Sequence, residues 1–361
     1  MPEKIPVAVL AATGSVGQRF VQLLDDHPWF KVVALTGSPR AVGQRYDEAC
    51  HWVLPEAMPG WAAALPVQAT DPENLSVPLV FSALPSRVAR EVEPGFARAG
   101  TMVCSNASAY RREPDVPLLM PEVNPDHLSL LAVQREQRGW SGGIVTNPNC
   151  TSAGMTVTLK ALQDAFGVRR VFAVSLQALS GAGYPGVASL DILDNVIPYI
   201  EGEEEKVEWE SRKMLGTLRE GGVELAGFAV SAHANRVAVS DGHLVTLSVE
   251  LENGHRNDSH KNDSASLERA AQVLREYTAP PASRDLPSAP RPVILLRDEP
   301  DRPQPRLDRL AGGGMTTVVG RLRQDPLFDL KMVVLSHNTI RGAAGGSIYN
   351  AELLVELGWL G

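Results

Sequence analysis

A cysteine stands where a strand-like run gives way to a helical one. Cys150 follows Thr146-Asn147-Pro148-Asn149, the apolar run 143–145 comes before it, and residues 155–162 after it contain no glycine or proline. A thiol at a helix start faces unpaired backbone N–H groups and the positive end of the helix dipole, and both favour the thiolate. Cys150 is therefore predicted to attack a carbonyl carbon. The alternative, a small buried side chain, fits poorly with its polar neighbours.

A glycine-containing turn near the N-terminus predicts a nucleotide site. The apolar run Ile5–Leu10 is followed by Ala11-Ala12-Thr13-Gly14-Ser15-Val16-Gly17 and then by a helical pattern. Such a turn lets the backbone approach a pyrophosphate, to which the helix offers N–H donors. Ala11 stands where the G-x-G-x-x-G pattern has its first glycine, and its methyl group is tolerable if φ is negative there. A dinucleotide and a helix-start cysteine together predict hydride transfer through a thioester.

The end of the second predicted strand indicates which dinucleotide is bound. Enzymes that bind NAD usually place an acidic residue there for the ribose 2′-hydroxyl. Here the run 34–40 has no acid but contains Ser38 and Arg40, which suit a 2′-phosphate. The cofactor is therefore predicted to be NADP, with an ordinary polar turn as the alternative.

A short segment in the second half pairs an arginine with a histidine seven residues later. In Arg236-Val237-Ala238-Val239-Ser240-Asp241-Gly242-His243, the Asp-Gly pair is the preferred centre of a two-residue hairpin. Such a hairpin would put Arg236 and His243 on one face of the sheet. Histidine moves protons near neutral pH, and arginine grips carboxylates with two hydrogen bonds. Alone, the segment also fits a surface hairpin with incidental polar residues.

Two weaker motifs lie between the cysteine and this segment. Gln177 ends a strand-like run, can orient a substrate carbonyl, and leads into a loop of small residues that contains Ser180 and Gly181. Glu210 and Lys213 are three residues apart and share one face of a predicted helix. Without other information, they read as a solvent-exposed ion pair.

Hydrophobic patterning predicts the elements that position these residues. Strands alternate with helices up to Cys150, which is typical of a doubly wound α/β domain of the Rossmann type. The remainder predicts an α+β domain with a mixed, largely antiparallel sheet. We expect a nucleotide-binding domain over 1–149, completed by a C-terminal helix over about 341–361, and a catalytic and dimerisation domain over 150–340. The less regular second half is predicted to contain helices at Val187–Ile200 and Glu204–Leu218, strands at Phe228–Ser231, Asn235–Ser240 and His243–Leu251, and a loop over Glu252–Ser266.

Bulk properties exclude several classes of protein. The 361 residues carry a net charge of −8 with no basic run, which argues against a nucleic-acid partner. No apolar run reaches transmembrane length, and no signal peptide is recognised. The three cysteines are too widely spaced for a disulfide framework or a zinc site, so a reducing, cytoplasmic location without a bound metal is expected.

Taken together, these residues resemble the aspartate-β-semialdehyde dehydrogenases of archaea and fungi, essentially end to end. The resemblance rests on the cysteine motif 146–151, Gln177 with the loop 180–186, the run 203–206, the segment 236–243 and the tail 337–346. The cysteine motif, Gln177 and the spacing between Arg236 and His243 are highly specific in combination.

The resemblance implies a role for each candidate residue. Cys150 is the nucleophile that accepts the acyl group, His243 the general acid/base, and Gln177 positions the substrate together with Asn149. Arg236 binds the substrate α-carboxylate and Glu210 its α-amino group. Lys213 and Arg111 match the residues that bind the substrate phosphate in this family. Asn338 is expected near the nicotinamide, and the remaining cofactor contacts are expected from Thr13, Gly14, Ser15, Val16, Gly17, Ser38, Arg40, Ser180 and Gly181.

The implied reaction is the NADPH-dependent conversion of L-aspartyl-4-phosphate to L-aspartate-4-semialdehyde, a step towards lysine, threonine and methionine. A homodimer or homotetramer is expected. Two alternatives stay open: malonyl-CoA reduction on the same scaffold, in which Glu210 would have no evident role, and a non-catalytic NADP-binding sensor.

Overall fold

The computed structural model describes residues 3–252 and 263–360. Its strands are β1 Ile5–Leu10, β2 Phe30–Thr36, β3 Val67–Gln68, β4 Leu79–Ser82, β5 Met102–Ser105, β6 Gly143–Thr146, β7 Val168–Gln177, β8 Thr217–Arg219, β9 Gly222–Glu224, β10 Ala229–Arg236, β11 His243–Leu251, β12 Ile294–Leu296, β13 Thr317–Gln324 and β14 Leu330–Ser336. Its α-helices are α1 Ser15–Leu23, α2 Tyr46–Ala49, α3 Gly60–Ala63, α4 Ser86–Arg98, α5 Leu130–Arg138, α6 Cys150–Phe166, α7 Ser189–Ile192, α8 Glu203–Met214, α9 Asp263–Glu276, α10 Pro281–Arg284, α11 Pro305–Asp308 and α12 Gly345–Glu356.

The first half of the chain builds a parallel six-stranded sheet. Its order is β3-β2-β1-β4-β5-β6, and each neighbouring pair is parallel. This is the strand order of doubly wound dinucleotide-binding folds, in which ligands bind beyond the carboxyl ends of the strands where the order reverses. The turn from β1 into α1 and the turn from β6 into α6 both leave that edge, so Gly14 and Cys150 are delivered to the same side of the sheet.

The C-terminal tail returns to this first sheet. A π-helical turn, Ile340–Ala344, leads into α12. Ile348 and Leu354 of α12 are fully buried in the same apolar cluster as Phe20 and Phe81. Arg341, itself buried, forms an ion pair with Glu122. The domain limits at 149 and 340 remain a prediction, but this packing is what a completing C-terminal helix requires.

The second half builds a mixed sheet, as predicted. Its order is β10-β7-β11-β14-β13-β12. The β7–β11, β11–β14 and β13–β14 pairs are antiparallel, whereas β10–β7 and β12–β13 are parallel. The long helix α6 covers this sheet and shares its apolar cluster. Because α6 begins at Cys150, its packing fixes the thiol relative to the ends of β7 and β11.

Several predicted elements are wrong in extent. Val187–Ile200 is helical only at Ser189–Ile192, since Asp194 takes a left-handed φ of 56° and Pro198 prevents continuation. The helix expected over Glu204–Leu218 ends at Met214, and Thr217 begins a strand. The two strands predicted between 228 and 240 are the single strand β10. The predicted loop 252–266 lies mostly outside the described residues, and 263–266 are helical.

A carboxyl group in the first domain gives a prediction for stability. Glu93 on α4 is fully buried and accepts a hydrogen bond from Ser105 Oγ at 2.6 Å. Burial raises its pKa from 4.5 to about 7. Between these values the folded protein holds a proton that the unfolded chain releases, so stability falls as the pH rises from about 4.5 to 7.

Glu93→Gln is therefore expected to stabilise the protein at pH 8, by at most about 3 kcal/mol, and to change little at pH 4.5. Urea unfolding of both proteins at the two pH values measures the difference. Glu91→Gln, two residues away and exposed, is the control. Equal stabilities of the Glu93 variant and the parent at pH 8 would contradict the raised pKa of this buried carboxyl.

Candidate active site

The starts of α1 and α6 open onto one cavity of about 280 Å³. Its wall contains Ser15 and Val16 from the glycine turn and Cys150 from the thiol motif. The sequence-predicted nucleotide turn and nucleophile therefore share a space. Its further lining residues are Asn106, Arg111, Asn149, Ser180, Gly181, Ala182, Gly183, Asn338, Thr339, Gly342 and Ala343.

Cys150 is the first residue of α6, as predicted. Asn149 caps the helix, because its Oδ1 accepts hydrogen bonds from the N–H groups of Thr151 and Ser152 at 2.9 and 3.3 Å. On the other side, a Cβ added to Gly342 would lie 2.7 Å from Cβ of Cys150. The thiol is thus held between a capped helix start and the π-helical turn of the tail.

His243 contacts the thiol directly. Its Nε2 lies 3.2 Å from Cys150 Sγ, and its Nδ1 accepts a hydrogen bond from the Ala178 N–H at 3.0 Å. Burial and Arg236 lower the pKa of His243 to about 3, so the ring is neutral at neutral pH. A neutral ring that accepts at Nδ1 carries its hydrogen on Nε2. His243 therefore presents a donor, not an acceptor, to the sulfur.

The charge state expected for Cys150 needs correction. Burial, with a contribution from the Glu203 carboxylate, raises the pKa of the thiol to about 12. Arg111, Arg236 and a backbone N–H act in the opposite direction but do not compensate. In the substrate-free site Cys150 is a thiol, although the helix start alone favours the thiolate.

Arg236 and His243 lie at the same end of the second sheet, but not through the predicted hairpin. Strand β7 lies between β10 and β11, with Arg236 beside Gln177 and Leu244 beside Leu176. The Asp241-Gly242 pair belongs to a connection that crosses the end of β7 and reaches Asn338, whose Oδ1 accepts from the Gly242 N–H at 2.8 Å. The hairpin prediction is wrong because strand order depends on pairing with a segment sixty residues earlier.

Gly181 forms a thin wall between the cavity and these two side chains. A Cβ at this position would lie 2.8 Å from Arg236 Nη1 and 3.1 Å from His243 Nε2. Arg236 is 6% exposed, and its Nη1 donates to the Ala178 carbonyl at 2.7 Å. A glycine is needed here because any side chain would displace the arginine or the histidine.

Arg111 lines the cavity, whereas Glu210 supports it from behind. Arg111 donates from Nη1 to Glu210 Oε1 at 2.9 Å and from Nη2 to the Asn106 carbonyl at 2.8 Å. The other oxygen of Glu210 accepts from the Asn149 N–H at 2.6 Å. Glu210 is fully buried with both oxygens engaged, so the structure does not support the expected direct contact with a substrate ammonium group.

The structure contradicts the expected phosphate contact of Lys213. Its Nζ donates to the carbonyls of Arg111, Glu113 and Val116 at 2.7, 2.7 and 3.0 Å. These bonds use all three N–H groups of an ammonium, and the residue is only 4% exposed. Burial lowers its pKa to about 8. Lys213 instead fixes the loop that carries Arg111.

The glycine turn fits a dinucleotide phosphate, with one unexpected strain. A Cβ on Gly17 would lie 2.6 Å from Ala12 Cα, so only glycine lets α1 start this close to the turn. Ala11, however, has a φ of 56°, not the negative value that would make its methyl group harmless. An L-residue in this left-handed region costs roughly 1 kcal/mol. The Ala11 N–H donates to Thr36 Oγ1 at 3.1 Å, which helps to hold the strained turn.

The other predicted cofactor residues lie around this turn and the cavity. Ser38 and Arg40 are exposed directly after β2. Gly37 lies against the turn, since a Cβ there would be 3.6 Å from Thr13 Cγ2. Across the cavity, Asn338 Nδ2 donates to Ser180 Oγ at 2.8 Å. Polar groups therefore lie on both sides of the turn: Ser38 and Arg40 after β2, and Ser180 and Asn338 across the cavity.

Four further residues of the site have no role predicted from the sequence. They contact the catalytic side chains or line the cavity, and they are Glu203, Asn106, Thr339 and Gly342. Glu203 lies in the run 203–206, so a signal was present for it without a function. Among residues 3–252 and 263–360, no cluster of metal-ligating side chains is found. In the same ranges, no helix is long and apolar enough to cross a membrane.

Comparison with known proteins assigns both halves of the chain to one family. Residues 6–131 match the family described as semialdehyde dehydrogenase, NAD binding domain. Residues 159–341 match the family described as semialdehyde dehydrogenase, dimerisation domain.

Individual relatives agree along nearly the whole chain. The aspartate-semialdehyde dehydrogenase of Archaeoglobus fulgidus is 51% identical over 97% of this chain and 98% of its own. That of Schizosaccharomyces pombe is 47% identical over 98% of each. The crystal structure of the Candida albicans enzyme with NADP superposes with a TM-score of 0.88 at 42% identity, covering 98% of this chain and 99% of that one. The chain therefore belongs to the aspartate-semialdehyde dehydrogenase family.

Proposed function

We propose that the protein reduces L-aspartyl-4-phosphate to L-aspartate-4-semialdehyde with NADPH, through a thioester on Cys150. The observation that carries the proposal is the 3.2 Å contact between Cys150 Sγ and His243 Nε2, beside a cavity that the glycine turn also lines. The names of the close relatives support the same reaction.

Substrate recognition is assigned to two guanidinium groups. Arg236 binds the α-carboxylate by a bidentate contact, for which its Nη1 is held by the Ala178 carbonyl. Arg111, oriented by Glu210 and lining the cavity, binds the phosphate. Lys213 acts indirectly, because it holds the carbonyls of the Arg111 loop.

In the covalent step, Cys150 Sγ bonds to the acyl carbon. The departing phosphate takes the electrons of the C–O bond and the thiol proton, since the neutral His243 has no free lone pair facing the sulfur. The backbone N–H of Cys150 itself stabilises the oxyanion, since the N–H groups of Thr151 and Ser152 are bonded to Asn149 Oδ1. After reduction, the oxyanion takes a proton from water to give the thiohemiacetal. When this collapses, the C–S bond breaks and the hydroxyl proton passes to the sulfur, while Nε2–H of His243 stabilises the departing sulfur by a hydrogen bond.

NADPH, when bound, supplies the hydride that reduces the thioester carbon. The N–H groups at the start of α1 are placed to hold its pyrophosphate, Ser38 and Arg40 its 2′-phosphate, and Asn338 with Ser180 the nicotinamide end. The structure of the Candida albicans relative with NADP supports this cofactor.

The names of the relatives favour this reaction over malonyl-CoA reduction, and intact Cys150 and His243 argue against a non-catalytic sensor. Self-association as a dimer or tetramer is supported by the match of residues 159–341 to a dimerisation domain. It is also supported by the exposed apolar side chains of Tyr184, Leu190, Leu193, Val196 and Tyr199. Three free thiols suit a cytoplasmic location.

Replacing Arg236 by lysine is expected to raise the KM for L-aspartate semialdehyde by roughly tenfold or more, because an ammonium cannot bind a carboxylate with two parallel bonds. The KM for NADP⁺ should stay unchanged. Both constants come from NADPH absorbance in the phosphate-dependent reverse reaction, with NAD⁺ run in parallel to test the Ser38 and Arg40 assignment. An unaltered KM for the semialdehyde would remove Arg236 from carboxylate binding, and absence of turnover in the parent would reject the proposed reaction.

A further inference from the structure

Glu203 is a buried carboxylate that contacts the site without belonging to the cavity wall. It is the first residue of α8 and is 8% exposed. The Asn149 Nδ2 donates to both of its oxygens, at 3.1 and 2.8 Å. The Gln177 Nε2 donates to Oε2 at 3.3 Å, and the Lys206 Nζ donates to Oε1 at 2.8 Å.

The first contact decides which way the cap of α6 faces. A side-chain amide has a donor end and an acceptor end. Because Glu203 accepts from Asn149 Nδ2, the amide oxygen of Asn149 must face the N–H groups of Thr151 and Ser152, as it does. Cys150 lies between the capping residue and these two donors, so the carboxylate fixes the backbone that carries the thiol.

The second contact decides which atom Gln177 offers. Its Nε2 donates to Glu203 and, at 3.3 Å, to Ser175 Oγ. Both N–H bonds are thereby committed, and Oε1 is left as the atom for a ligand. Gln177 therefore offers a ligand an acceptor. A glutamine could in general also donate to a substrate carbonyl, but here both N–H groups are already engaged.

The third feature is charge. The salt bridge to Lys206 and the amide hydrogen bonds lower the pKa of Glu203 against the effect of burial, so the carboxylate is ionised. It acts electrostatically on Cys150, whose pKa it raises, and on Arg236. Burial is the main cause of the raised pKa of Cys150, and the Glu203 charge, which reaches the neighbouring Asn149 by hydrogen bonds, adds to it.

We propose that Glu203 is a positioning residue of this site: its carboxylate orients the Asn149 and Gln177 amides around Cys150 and places a negative charge near the thiol. The turnover part of this inference rests on the proposed reaction. The part that concerns the thiol does not.

Two measurements on Glu203→Gln test the proposal. Glutamine keeps only one of the two acceptor oxygens and turns an NH₂ group towards an amide donor, so kcat is expected to fall by roughly 100-fold. The loss of negative charge should at the same time make alkylation of Cys150 by neutral iodoacetamide about tenfold faster at pH 8. Alkylation is followed by intact mass, with Cys150→Ser as the background for Cys50 and Cys104. Glu205→Gln is the matched control, because Glu205 is exposed and 3.8 Å from its nearest cation, Arg112, and should behave like the parent.

Lys206→Met provides an opposite-sign test that leaves both amide contacts in place. Removal of the cation beside Glu203 should slow the alkylation of Cys150 at pH 8. This measurement does not depend on whether Glu203→Gln folds. A merely structural role would lower the melting temperature in either variant without moving the alkylation rates in opposite directions. Unchanged alkylation in both variants, or a kcat of Glu203→Gln within twofold of the parent, would overturn the proposal. If the parent itself fails to turn over aspartate semialdehyde, the proposed reaction fails while the alkylation rates still decide the role of Glu203.

Discussion

Cys150→Ser is expected to lose turnover by roughly 10³-fold or more while it still binds NADP⁺. The hydroxyl is a much weaker nucleophile than a thiol, and His243 does not compensate, because its ring presents a donor to this position. The glycine turn, to which cofactor binding is assigned in the proposed function, leads into α1 and is not altered by the substitution. Steady-state NADPH formation and fluorescence titration with NADP⁺ measure the two properties.

Cys50→Ala serves as the control for the loss of a thiol in general. Cys50 is free, like Cys150, but it is a core residue of the first domain. It should keep nearly full activity. Cys150→Ser that retains the parent rate would exclude a covalent intermediate at this residue.

His243→Asn is expected to lower kcat by roughly 10²- to 10³-fold, the usual cost of losing one positioned hydrogen-bond donor to a developing charge. Negative charge develops on the sulfur when the thiohemiacetal collapses, and Nε2–H of His243 is the hydrogen-bond donor in contact with it. Because the pKa of His243 is lowered to about 3, His243 stays neutral between pH 7 and pH 5.5. Its protonation should therefore cause no fall in the activity of the parent over this range. An ordinary histidine would be half protonated near pH 6.5.

His233→Asn is the matched control. His233 lies on β10, is exposed, and stacks edge-on against Phe172. Its replacement should leave kcat unchanged. Two results would contradict the assigned proton position. One is a fall in kcat of less than threefold in His243→Asn, and the other is a loss of activity below about pH 6.5 in the parent that is absent from His243→Asn.

The features set by short stretches of sequence could be predicted. Cys150 follows a buried strand and an Asn that caps the next helix, and both signals lie within seven residues. The turn from β1 to α1 is equally local, as is the exposed pair Ser38 and Arg40 after β2. The same reasoning found Arg236, His243 and Gln177, since each stands at a strand end.

Features that depend on distant residues could not be predicted. The Asp241-Gly242 pair suggests a hairpin, but β7 inserts between the two strands. Lys213 looks like a ligand-binding lysine until its three carbonyl partners, about 100 residues earlier, are placed around it. The charge state of Cys150 depends on burial and on Glu203, so the helix start alone gave the wrong direction. The positive φ of Ala11 could not be predicted either, because alanine rarely takes it.

The most direct test of the account is a rapid-mixing experiment with the enzyme, NADP⁺ and L-aspartate semialdehyde in the absence of phosphate. If a thioester forms on Cys150, NADPH should appear in a burst of about one equivalent per active subunit, and production should then stop until phosphate is added. Cys150→Ser should give no burst. Continuous NADPH formation without phosphate, or no burst in a folded enzyme that turns over when phosphate is present, would contradict the thioester route.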